Sequence, residues 1–187
     1  MFNLSLGALR RFACEECLIF YAREKRNLET DHSDRHYRVN GYRHNTDNNI
    51  MRNITLIIVH CSAVLPDQQS SAAQIDTWHR KQGWKLGIGY HYVVRRSGEV
   101  EQGRPEFMVG AHCRNHNSHS IGVCYEGGLD IRGQPADTRT EAQKEALRRL
   151  LADLHRRYPK ALIVGHHDLD PQKSCPCFDV ISEYSLL

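Results

Sequence analysis

No stretch of this 187-residue chain is apolar for long enough to cross a bilayer, which argues against a membrane span. No block of like charge stands out either. Its 25 Lys and Arg against 22 Asp and Glu leave a net charge of +3, too small and too dispersed to point to nucleic acid or a membrane surface. The amino terminus lacks the unbroken apolar core of a secretory signal, because Arg10, Arg11, Glu15 and Glu16 interrupt it. Internal repeats are absent. So is any HExxH motif, and with it the glutamate base of the usual zinc proteases. The seven cysteines are an odd number in a chain without an export signal. They read as reduced thiols or metal ligands, not as a disulfide framework. What these absences leave is a globular chain, 40% hydrophobic and 25% charged, expected to be monomeric and cytoplasmic as synthesised.

The first fifty residues differ from the rest. "REKRNLETDHSDRHYRVNGYRHNTDNN", residues 23–49, is rich in Arg, His, Asn and Asp and has little apolar periodicity, so disorder is its expected state. Ahead of it, residues 18–21 suit one short helix or strand, and Cys14 with Cys17 forms a lone CxxC, which without further ligands is incidental. Residues 1–50 are therefore expected to be an extension or an upstream start-site reading, and residues 51–187 the working domain.

From Ile54 the pattern becomes orderly. "ITLIIVH" is a continuous apolar run that predicts a central, doubly covered strand ending at His60. Ser70 and Ser71 can cap a helix through "AAQIDTWHRKQ" that Gly83 ends. "GYHYVVRRSGEVEQGR" predicts a hairpin turning at Ser97-Gly98, and "SIGVCYEGG" another buried strand. Thr140 with Gln143 forms a capping box ahead of a helix in which Ala146, Leu147, Leu150, Leu151 and Leu154 repeat at helical spacing. "ALIVGHH" predicts a last strand that carries the histidine pair at its end. Strands and helices mix without a regular βα repeat, so the expected fold is α/β: one domain with a mixed central β-sheet flanked by helices.

"GHHDLDPQKSCPCFD", Gly165 to Asp179, concentrates the chemistry. A catalytic zinc takes three protein ligands from His and Cys and keeps one position open. This stretch offers His166 or His167 and Cys175 or Cys177, and His60, at the end of the first buried strand, can supply another ligand. Strand alternation puts His166 on the face of Leu162 and Val164 and His167 on the other, so only one of the pair can face a metal. Periodicity does not say which.

Four stretches, "IIVHCSA", "GIGYHYVV", "VGAHCRNHNSHSIGVCYEGG" and "VGHHDLDPQKSCPCFD", taken together and in order, resemble the zinc-dependent N-acetylmuramoyl-L-alanine amidases of the phage-lysozyme and peptidoglycan-recognition-protein type. The resemblance begins near Asn53. It implies His60, His166 and Cys175 as ligands of Zn2+, with Tyr90 and Lys173 as the catalytic groups beside the metal. It also implies that His112 and Asn117 line a substrate cleft. The substrate implied is peptidoglycan or a muropeptide, cut at the amide joining N-acetylmuramic acid to L-alanine, on the wall after release or delivery. Zinc would supply a water of lowered pKa, and Lys173 and Tyr90 would stabilise the developing charge. One departure is visible: the loop from the histidine pair to Lys173 is about one residue longer than the phage-type pattern. Three rivals stand beside the amidase: a non-catalytic muropeptide-binding module, a cysteine hydrolase with Cys175 as nucleophile, and a structural zinc site closed by Cys177.

Overall fold

A computed structural model describes residues 52–187, together with the backbone of a two-stranded antiparallel hairpin, Arg38–Val39 with Tyr42–Arg43. The CxxC, residues 18–21 and the rest of the polar stretch lie outside the described residues. Ile54–Leu187 forms one compact unit. Its strands are β1 (Leu56–Cys61), β2 (Tyr92–Val94), β3 (Val100–Gln102), β4 (Ser120–Tyr125) and β5 (Leu162–Gly165), and they lie in the order β3-β2-β4-β1-β5. β1 is parallel to both of its neighbours, β2 is parallel to β4, and only β3 runs antiparallel. The central position of β1 explains its unbroken apolar sequence, since side chains on both faces must be buried.

The two faces bury different sets. Ile57, Val59, Ile121, Val123 and Tyr125 point one way and meet Ala146, Leu147, Leu151 and Leu154 of helix α2 (Glu141–Arg157). Each fully buried leucine there contributes about 1.5–3 kcal/mol. Thr140 and Gln143 close the reciprocal capping box that starts this helix. The opposite face carries Val93 and Cys124, which pack on Ile75 and Trp78 of α1 (Ala72–Lys81). Ser71 caps α1 by accepting the Gln74 N–H at 3.1 Å. The β2–β3 hairpin turns where expected, with Gly98 at φ +86° donating its N–H to the Arg95 carbonyl; this is a left-handed position that glycine takes without steric cost.

One element differs from the sequence expectation. The last strand stops at Gly165, and the histidine pair opens a four-residue helix, α3 (His166–Leu169). Asp168 favours the change: from the third position of the turn its carboxylate accepts the Gly165 N–H at 2.7 Å, the contact that caps a helix start while Gly165 itself still pairs with Val59. A short α4 (Val180–Tyr184) ends the fold, capped by Asp179, whose Oδ1 accepts the Ser182 N–H. Arg139, nearly buried, ties α4 down through Asp137 and Glu183 and stacks on Phe178. Among the described residues no helix is long and apolar enough to cross a membrane.

Candidate active site

The functional residues gather at the carboxyl ends of β1 and β5, on the face that α1 covers. Register decides which histidine arrives there. Ile58 pairs with Val164, and both belong to one small core with Cys113 and Leu169. Two residues further along, His60 and His166 leave the sheet on that same side, and their ring centroids lie 4.6 Å apart. His167 turns away: its Nε2 is 3.4 Å from the Asp168 carboxylate and its Nδ1 lies near the Ser174 carbonyl. The loop after α3 then returns Cys175 beneath the pair, held by the His167 N–H, which donates to the Cys175 carbonyl at 2.8 Å. One ligand atom from each of His60, His166 and Cys175 lies within 4.8 Å of the others, and all three residues are buried. Among the described residues no other such group of three occurs.

The surroundings prepare these groups to act as ligands. Burial, then the neighbouring His166, holds the His60 imidazole well below its ordinary pKa. Burial, then the Lys173 ammonium, pushes His166 down to about 4. Both rings are therefore neutral near pH 7, with lone pairs available. Cys175 Sγ lies 3.8 Å from His60 Nδ1 and accepts the Cys61 N–H at 3.2 Å, which holds the sulfur beside the two rings. The donor set of two nitrogens and one sulfur, with no carboxylate, suits a borderline ion such as zinc and not magnesium or calcium. Cys177 is directed elsewhere, toward the Gly128 carbonyl at 3.4 Å and the Cys61 thiol. The five described cysteines are all free.

Behind His60 runs a buried polar chain. His60 Nε2 is 3.0 Å from His112 Nδ1, and His112 Nε2 is 3.3 Å from Ser120 Oγ. With His60 Nδ1 kept for a ligand role, Nε2–H donates to His112, whose own Nε2–H donates to Ser120. Space for the His112 ring depends on Gly122, where a Cβ would come within 2.6 Å of it. Asn117 Oδ1 accepts the N–H groups of His112 and Cys113 at 2.8 and 2.9 Å, which fixes the loop bearing that ring. His91 supports it from the other side; it accepts the Gly122 N–H at Nδ1 and is therefore protonated at Nε2, facing the Met108 carbonyl. Tyr90 stands over His60, with ring centroids 5.2 Å apart, and its hydroxyl meets the Cys124 thiol. Lys173 sits in the turn after Asp170, its N–H bonded to the Asp170 carbonyl at 3.0 Å.

Ser120 and the Cys61 amide take part in this arrangement without having been singled out by sequence. The glycine inside the otherwise apolar "SIGVCY" is the signal that could have found the His112–Ser120 pair, because a strand glycine often marks a close approach.

Residues 50–178 match the N-acetylmuramoyl-L-alanine amidase family. The chain is 46% identical over 124 residues to the endolysin of Klebsiella phage KP32, covering 66% of this chain and 81% of that one. It is 45% identical over 124 residues to the endolysin of Escherichia phage T7, with the same 66% and 81% coverage. Among solved structures, the N-acetylmuramoyl-L-alanine amidase LysC from Clostridium intestinale URNW is similar at a TM-score of 0.60 and 27% identity, over 72% of this chain and 87% of that one.

Proposed function

Since the chain belongs to the N-acetylmuramoyl-L-alanine amidase family and is a peptidoglycan amidase, we propose that it works with one zinc ion held by His60, His166 and Cys175. The observation that carries this reading is the convergence of two neutral imidazoles and one thiol, all buried and with ligand atoms within 4.8 Å of one another. When bound there, zinc would supply a water of lowered pKa and Lewis-acid polarisation of a carbonyl. In the overall reaction water adds hydroxide to the lactyl carbonyl carbon and a proton to the L-alanine nitrogen as the C–N bond breaks.

The chain's own groups have separable tasks in this proposal. His112 and Ser120 keep His60 in one tautomer and one orientation. His112 and Asn117 border the substrate, and Asn117 also fixes the loop that presents His112. Lys173 and Tyr90 donate toward the carbonyl oxygen as it gains negative charge. Tyr90 also assists proton delivery to the leaving nitrogen. In the cell, the protein is made in the cytoplasm and reaches the wall on release, as a lytic enzyme.

The test has two arms. Mass spectrometry of digested cell wall should find glycan strands with free lactyl carboxylates and peptides beginning at L-alanine. Chelation should abolish their formation and added zinc restore it. A Cys175 nucleophile paired with His60 would keep its activity in chelator, so persistence there would overturn the zinc reading. A chain that binds muropeptides yet releases neither product would overturn catalysis.

Residues 51–187 are proposed to be the working domain, a reading supported by the compact unit starting at Ile54 and the family match starting at residue 50. Removing residues 1–50 should leave fold and turnover unchanged; circular dichroism and wall-lysis rates check this, and loss of folding would overturn it.

A further inference from the structure

A second pair of imidazoles lies beside the site and has no part in the ligand set or the catalytic pair. His116 precedes and His119 ends a single 3-10 turn, Asn117–His119. His116 Nδ1 faces His119 Nε2 at 3.3 Å, with the rings nearly perpendicular. The turn is pinned on every side. The His116 N–H donates to the Cys113 carbonyl, the His119 N–H to the His116 carbonyl, and the Thr55 N–H to the His119 carbonyl. Little conformational freedom is left to lose when the two rings engage a ligand.

The ring nitrogens are arranged for a shared cation. His119 Nδ1 lies 3.3 Å from Ser118 Oγ. When Nδ1–H donates to that hydroxyl, Nε2 turns a lone pair toward His116. His116 is itself held below its ordinary pKa, by burial first and then by His119. Without a metal the pair is an ordinary hydrogen bond, His116 Nδ1–H donating to His119 Nε2; a metal ion that displaced this one proton would take both nitrogens at once. Two zinc–nitrogen bonds of about 2.0–2.1 Å at a tetrahedral angle hold their nitrogens roughly 3.3–3.4 Å apart, which matches the observed spacing.

We propose that His116 and His119 form a second divalent-metal site, for borderline ions such as Zn2+ and Ni2+. With two nitrogens and no thiolate it binds more weakly than the His60, His166 and Cys175 group, and its remaining positions are open to water or a carboxylate. The site lies near the first, close enough for His116 to act electrostatically on His166.

The experiment uses the untagged full chain already loaded with one zinc, titrated with Ni2+ by calorimetry and by equilibrium dialysis with elemental analysis. A second, weaker equivalent should bind, and paramagnetic broadening should centre on the amides of residues 116–119. His119→Asn should keep its zinc but weaken the Ni2+ site at least about tenfold, the scale seen even for loss of an outer-shell partner. His116→Asn should do the same. Cys175→Ser should still take Ni2+ at this position, so failure here is distinct from failure of the first ligand assignment. Uptake stopping at one ion, or undiminished Ni2+ affinity in both histidine variants, would overturn the proposal.

Discussion

Cys175→Ser should fold normally and bind zinc more than about 100-fold more weakly than the parent, since a lost ligand exceeds the 10–100-fold cost of a lost outer-shell partner. Wall lysis should fall with the metal. The substitution is nearly isosteric, at a residue only 8% exposed, and the Cys61 N–H that now bonds Sγ can donate to the new hydroxyl. What changes is the donor: a neutral hydroxyl replaces a soft thiolate. Elemental analysis of the purified variant beside its circular dichroism spectrum is the check, and full zinc occupancy would refute the ligand assignment. His167→Ala is the companion. Its ring is engaged with Asp168 and the Ser174 carbonyl, so this variant should keep its metal. If His167→Ala loses zinc while His166→Ala keeps it, the face assignment is wrong.

That face assignment marks where the sequence stopped being sufficient. The two helices, the hairpin and the central strands were all legible, because caps, turns and apolar period are local signals. Alternation along "ALIVGHH" separates His166 from His167 but does not say which side of the sheet holds the site. Only the pairing of Ile58 with Val164, residues more than a hundred positions apart, supplies that fact. The alternation was also carried two residues too far, because Asp168 caps a helical turn where a strand was expected. His112 is a similar case. Its motif pointed to the site, but its contact with His60 needs β1, β4 and the loop before β4 in place together. Such contacts are set by tertiary packing, which no local pattern encodes.

Removing either proposed charge-stabilising donor should separate turnover from metal binding. Tyr90 and Lys173 are not among the three converging ligands, so Tyr90→Phe and Lys173→Ala should both fold and retain zinc. Each removes a donor that acts mainly on charge developing in the transition state, a loss typically worth about 10²–10³ in turnover. The apparent KM should change far less than kcat, as expected for an interaction made chiefly in the transition state. Packing alone predicts otherwise for Tyr90: its ring against His60 survives in phenylalanine, and only the hydroxyl that now meets the Cys124 thiol is lost. A Tyr90→Phe enzyme with parental kcat would therefore show that this side chain is structural. Lys173 is the more stringent test, because the loop that carries it is about one residue longer than the phage-type pattern. Its effect on His166 argues that the ammonium lies on the site's side of the Asp170 turn. Parental kcat in zinc-loaded Lys173→Ala would mean that its charge acts on the ligand and not on the substrate, and the oxyanion would then rest on the metal and Tyr90.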